Sequence, residues 1–184
     1  MTEDDLLEQL RWEQALAVSG AQDELIGAAA QDLPQARPDI DPVRLQNSIV
    51  NFESSGNPYA KNPRSSATGP AQFIDKTWLS LAPTVAQRLG QDLSGMDPNQ
   101  VLSLRTDRDW SNAAIQVYAE QNKKFLEQTL SRPVGESELR LAHGFGAQGA
   151  ADILNADPST KAEEFFSPKV LESNPHLEIG RAHV

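Results

Sequence analysis

The dipeptide Asp-Pro occurs three times in this 184-residue chain, at 41–42, 97–98 and 157–158. Each occurrence is a helix-start signal. The Asp carboxylate accepts hydrogen bonds from the first free amides, and Pro, with its fixed φ and missing N–H, is pre-set for the first turn. Apolar residues recur at helical spacing around these signals. A helix over 42–54 places Val43, Ile49, Val50 and Phe52 toward a core and ends at Glu53. A second, over 75–89, carries Trp78, Leu79, Leu81 and Leu89 and is stopped by Gly90. Thr106, with Asp109 three residues on, resembles a capping box. The helix it opens runs to about 130, with Trp110, Ala114, Val117, Phe125 and Leu126 on one broad face. Shorter helices over 136–143 and 147–155 flank Gly144, Gly146 and Gly149, and a last one covers 159–166. Trp78, Trp110, Tyr118 and Phe125 are core residues by default. Phe165 and Phe166, after Asn155-Ala-Asp-Pro, read as a clasp for the C-terminus. With no β-hairpin signal and no internal repeat, the pattern predicts an all-α (mainly α) fold.

The charge is unevenly placed. Residues 1–42 carry ten acidic side chains against Arg11 and Arg37, a net −8 out of the chain's −10. Residues 3–30 have a helical apolar pattern broken at Ser19-Gly20, and 31–42 hold three prolines. Two regions are therefore expected: an acidic helical arm with a Pro-rich linker over 1–41, and a domain over 42–184. A solvated tail and a docking arm for a larger assembly are both open readings of the first region. The acidity argues against a nucleic-acid partner, which would need clustered Lys and Arg. There is no cysteine, so no disulfide or thiolate metal site. The three histidines (143, 176 and 183) have no zinc-ligand spacing, and no cofactor is implied. No apolar run reaches membrane-spanning length. The acidic start MTEDDLLEQL is unlike a signal peptide, so as made the chain is expected to stay cytoplasmic unless delivered by another route.

Residues 53–73, ESSGNPYAKNPRSSATGPAQF, carry the chemistry. Glu53 follows Val50, Asn51 and Phe52, which puts its carboxyl at the edge of a buried helix, where partial burial raises a carboxyl pKa. Gly56 and Pro58 end the helix at once. Gly69-Pro70-Ala71-Gln72-Phe73 then offers small residues and one amide that both donates and accepts hydrogen bonds, which suits a sugar N-acetyl group. Asp75, the next acid, reads as a helix cap. Tyr59 either stacks on a sugar in a cleft or covers the core. Lys61, Arg64 and Lys76 make the loop locally basic.

In this order of residues (Glu-Ser at 53–54, Gly-x-x-Gln at 69–72, Ala-x-x-x-Gly at 142–146) the chain resembles the lytic transglycosylase (SLT) domain of the lysozyme-like superfamily. It is closest to a subgroup with NPRSSATG, here 62–69, and LAH-x-x-G, here 141–146, found in bacteria and in phage virion proteins. The resemblance covers about residues 42–180. It implies a lysozyme-like helical domain that cleaves the MurNAc–GlcNAc β-1,4 bond of peptidoglycan. It implies Glu53 as the single catalytic acid/base, forming 1,6-anhydro-MurNAc without the second carboxylate of ordinary glycosidases. It further implies that Ser54 orients the glutamate or the sugar, that Gly69 and Gln72 hold the N-acetyl group, that His143 and Phe145 belong to the substrate-binding side, and that Phe73 packs beneath. Glycan strands would be the partner, with virion or ejection-complex proteins engaged through 1–41 and a phage virion as the location. The chain departs from the family in four places: at Ala71, at His143, at Arg140, where the subgroup often has Tyr, and after 150, where the wider family's C-terminal Tyr has no counterpart. Ala71 replaces a usual Met, and His143 stands where a Tyr is usual. His143 is open between a hydrogen-bonding role near Glu53 and a structural role capping a short helix. Arg140 is open between a stem-peptide contact and plain surface. A hydrolytic muramidase and a non-catalytic structural or ejection protein that binds glycan are the alternatives.

Overall fold

The computed structural model describes residues 40–63 and 65–157. Among them it is helical, with no strand. Five α-helices follow in order: α1 (Pro42–Ser54), α2 (Asp75–Leu89), α3 (Pro98–Ser103), α4 (Arg108–Leu130) and α5 (Glu136–Asn155), with a single 3-10 turn, Leu104–Thr106, before α4. No described helix is long and apolar enough to cross a membrane. The expected helices at 3–30 and 159–166, and the clasp at 165–166, lie outside the described residues. The chain divides into two compact units at Gln121/Asn122, inside α4.

The unit over Asp41–Gln121 holds the motif of residues 53–73. Its first and third helices start as the Asp-Pro signals predict. Asp41 accepts from the amides of Val43 (2.9 Å) and Arg44 (3.2 Å). Asp97 accepts from Asn99 and Gln100, and Gln100 returns a bond to the Asp97 amide at 2.8 Å, completing a capping box. The start of α4 differs from expectation. Asp107 is the cap, accepting from Asp109 (2.9 Å) and Trp110 (3.1 Å), whereas the Thr106 hydroxyl donates back to the Ser103 carbonyl. The intervening 3-10 turn moves the cap one residue past Thr106, so that the helix starts at Arg108.

Leu45 and Ile49 bury the inner stripe of α1. Val43, expected in the core, is 61% exposed, because it lies in the first turn on the opposite face. Trp78, Leu81, Ala82, Val85 and Ala86 bury one stripe of α2, at the i, i+3, i+4, i+7 spacing of an amphipathic helix. Full burial of a side chain such as Leu81 contributes about 1.5–3 kcal/mol. The Trp78 indole N–H donates to the Val101 carbonyl at 2.7 Å, fixing α2 against α3. Pro83 lies inside α2 and cannot donate to the Leu79 carbonyl. Both residues are on the exposed face, where water can satisfy that carbonyl. Phe73 sits at the centre, its ring 6.1 Å from Trp78 and edge-on to Tyr118 at 5.7 Å. Arg88 and Glu120 make a two-point ion pair between α2 and α4 (2.9 and 2.6 Å). It raises the Arg88 pKa chiefly through the hydrogen bond to Glu120. Being exposed, it contributes at most about 1 kcal/mol.

The unit from Asn122 onward buries Leu126, Val134, Leu139, Leu141, Ala142, Ala150 and Ala151. Phe125, expected in a core, is 36% exposed, one residue off the Leu126 stripe. Glu138 is buried and fully engaged, accepting from the Gly135 amide and from Arg132 Nη1, both at 2.5 Å. The two short helices expected over 136–155 are present as α5, interrupted at Gly146, whose φ of 73° and ψ of 163° are not helical.

Candidate functional site

Glu53 occupies the last turn of α1. The helix stops two residues later because Ser55 turns into the left-handed region (φ 52°) and Gly56 follows at φ 81°. The amides of Ser55 and Gly56 bond back to the carbonyls of Asn51 (3.0 Å) and Val50 (3.3 Å), so the end is closed rather than frayed. Glu53 is half-buried, and its Oε1 is closed off from solvent.

Ser54 ties this end to the loop that follows. Its hydroxyl donates to the Pro70 carbonyl at 2.9 Å and to the Val50 carbonyl of its own helix at 3.1 Å. The link spans sixteen residues of sequence and ties the end of α1 to the Gly-x-x-Gln segment.

The loop holds its own shape. Lys61, Thr68 and Phe73 are joined by two antiparallel bridges, Lys61 to Thr68 and Thr68 to Phe73. The Gly69 amide donates to the Ala60 carbonyl at 2.9 Å. Gln72 is 5% exposed and adopts a positive φ of 52°. Its side-chain Nε2 donates to the carbonyls of Ala60 (3.0 Å) and Gly69 (2.7 Å). Two facing carbonyls require a donor, so the amide's orientation is fixed by its surroundings. Both N–H bonds of Gln72, expected to hold an N-acetyl group, are thus engaged within the loop.

Gly69 is required by its neighbour. A Cβ built on it would lie 2.1 Å from the Arg105 carbonyl oxygen, and its φ is +85°. The Arg105 side chain, 7% exposed, holds the other side of the loop. Nη1 donates to the carbonyls of Ser66 (2.8 Å) and Phe73 (3.0 Å), and Nε donates to Leu102 (3.0 Å). Asp75 Oδ1 stands 2.7 Å from the same Nη1. Both Nη1 hydrogens point at carbonyls, so Asp75 makes a charge contact off the N–H lines. Burial lowers the Arg105 pKa and Asp75 opposes that shift. Asp75, expected to be a cap, is instead the first residue of α2. Ser66 serves that end, its hydroxyl oxygen accepting from the Asp75 amide at 3.1 Å.

Tyr59 is 75% exposed, which removes the core reading. Its amide donates to the Asn57 side chain at 3.0 Å. Lys61 and Lys76 are exposed, and Arg64 lies outside the described residues. Phe73, 3% exposed, is core as expected.

His143 and Phe145 belong to the unit from Asn122 onward. His143 is 5% exposed in the last turn before the Gly146 break, and Phe145 is half-buried. Arg140, on the same helix, is half-buried, and that burial lowers its pKa against the opposing charge of Glu136. Among the described residues no group of three or more His, Asp or Glu could hold a metal ion.

The structure therefore brings together Glu53, Ser54, Gly69 and Gln72 in one unit. It adds Arg105, which has no local sequence signal: in Leu104-Arg105-Thr106 it reads as an ordinary surface cation, and its partners in the loop lie 30 to 40 residues away. No protein-family model matches the chain, and no solved structure matches it significantly.

Proposed function

We propose that the chain is a peptidoglycan lytic transglycosylase of the lysozyme-like kind, with Glu53 as its acid/base. The observation that carries this reading is the 2.9 Å bond from Ser54 to the Pro70 carbonyl, which ties the end of α1 that carries Glu53 to the Gly69–Gln72 segment. Glu53 lies in the last turn of α1 and is half-buried. In the proposed reaction the Glu53 carboxyl gives its proton to the glycosidic oxygen as the bond to the MurNAc anomeric carbon breaks. The MurNAc C6 hydroxyl oxygen then bonds to that carbon, and its proton returns to Glu53. No water is consumed and the acid is regenerated. A hydrolase would use a second carboxylate to activate water or to trap the sugar. Asp75, the next acid along the chain, is held by Arg105, which supports the single-acid reading. Ser54 acts here by fixing the helix end, and Gln72 by bracing the wall. The exposed Tyr59 ring offers an apolar face to a sugar. Delivery inside a phage particle is the proposed route to the wall.

Mass spectrometry of digested sacculi tests the reading. The expected product carries 1,6-anhydro-MurNAc, and Glu53→Gln lowers its release by at least about a hundredfold without changing the circular dichroism of the fold. Products with only reducing-end MurNAc would make the chain a muramidase. Undiminished release by Glu53→Gln would reject Glu53 as the acid. Binding to sacculi with no release at all would leave a glycan-binding structural protein.

A further inference from the structure

The geometry points to Arg105 as a positioning residue for the proposed reaction: it clamps the Ser66–Asp75 segment from two sides and so holds the Gly69–Gln72 wall at a fixed place against the α1 end that carries Glu53. The catalytic consequence rests on the reading above; the clamp itself rests on contacts alone.

The main-chain side of the clamp is the Arg105 carbonyl, which fills the space where a Gly69 side chain would stand. The side-chain side is the guanidinium, whose Nη1 reaches Ser66, before the Gly-x-x-Gln segment, and Phe73, directly after it. The segment is thus bracketed at both ends by one atom and pressed at its glycine by the same residue's backbone. Nε anchors the guanidinium to Leu102, so the clamp is tied to the α3 end rather than to the loop it holds. Asp75 neutralises the charge where burial disfavours it. Ser54 and Gln72 then carry the placement inward, from Pro70 to α1 and from Gly69 to Ala60. Arg suits this task because its planar group presents several donors in fixed directions. Lys is one bond shorter and lacks the Nε donor.

The test compares wild type, Arg105→Lys, Arg105→Met and Asp75→Asn, each kept well below its own melting temperature. Amide hydrogen exchange is read residue by residue, and KM and kcat are measured on soluble uncrosslinked glycan strands. Arg105→Met is expected to speed exchange across 66–73 by about tenfold or more while the α2 core amides at 81–86 change far less. KM should rise by about tenfold, with kcat falling by a smaller factor. Arg105→Lys should fall between Met and wild type. Asp75→Asn, at a half-buried position and leaving both carbonyl bonds in place, should move the same amides and KM in the same direction by a smaller factor. It carries the test if the Arg105 variants do not fold. Uniform acceleration of all slow amides, or unchanged KM in folded variants with normal Glu53 dependence, overturns the proposal. A wild-type chain that releases no muropeptide overturns the parent reading and the catalytic consequence with it. The exchange pattern then decides alone whether Arg105 holds the wall.

Discussion

Gly69 shows how a single position can be legible in sequence for one reason and required by the fold for another. The Gly-x-x-Gln pattern suggests a glycine kept small so that a sugar can approach. The structure finds its absent side chain replaced by the Arg105 carbonyl, 2.1 Å from where a Cβ would be, with the backbone at a φ that side chains rarely adopt. Gly69→Ala therefore meets both overpacking against backbone, which cannot swing aside, and left-handed strain. The expected loss is about 3 kcal/mol or more, read as a lowered midpoint in urea unfolding; a loss below about 1 kcal/mol would mean that the Arg105 turn retreats readily. Gln72 has the same double character. Its amide suits an N-acetyl group on paper, yet both N–H bonds are engaged by Ala60 and Gly69. Gln72→Glu removes both donors and sets a carboxylate against two carbonyls, so it should cost several kcal/mol, lower the melting temperature and reduce muropeptide release together. A variant that keeps its stability but loses glycan binding would return Gln72 to the ligand role. The position of Glu53 and Ser54 at a helix end is legible because a helix end and a turn are encoded within a few residues. Arg105 is not, because its worth depends on carbonyls 32 and 39 residues distant.

Helices with their own start signal begin where that signal stands, and departures arise where two signals compete within one turn. The Asp-Pro pairs at 41–42 and 97–98 fixed two starts to the residue, since Pro leaves little choice of φ. Before α4, Thr106 and Asp107 are both good caps, and the 3-10 turn over Leu104–Thr106 decides between them by using the Thr106 hydroxyl to bond Ser103. Asp107→Ala should consequently destabilise the protein by about 1 kcal/mol, whereas Thr106→Ala should change stability by less than about 0.5 kcal/mol. Thermal unfolding of the two variants side by side checks this, and the reverse order would restore the Thr106 cap. The exposure of Val43 and Phe125, against expectation, has a related reason. Apolar type alone does not distinguish a residue on the buried stripe from one a single position off it, which a helix turns by 100°. α5 was legible through its glycines: Gly146 takes a conformation that interrupts the helix where two short helices were expected.

For the molecule as a whole, charge is the property that sequence states outright and the fold does not alter. Residues 1–39 hold nine acidic and two basic side chains, a net −7, and leave −3 on the rest of the chain. Peptidoglycan carries lactyl and peptide carboxylates, so on the proposed function this segment faces a polymer of its own sign. Such repulsion acts over the Debye length, roughly 30 Å at 0.01 M salt and 3 Å at 1 M. Removal of residues 1–39 should therefore strengthen binding to sacculi several-fold, on the order of 3 to 10, at the lower salt, and leave it nearly unchanged at the higher. Co-sedimentation with purified sacculi across that salt range measures it, with Glu53→Gln in both lengths so that the polymer is not digested. The two lengths should converge as salt rises, because screening removes the difference between them without touching contacts made at the wall. A gap that persists at 1 M salt would mean that the segment acts through contact rather than charge, which is the behaviour of a docking arm.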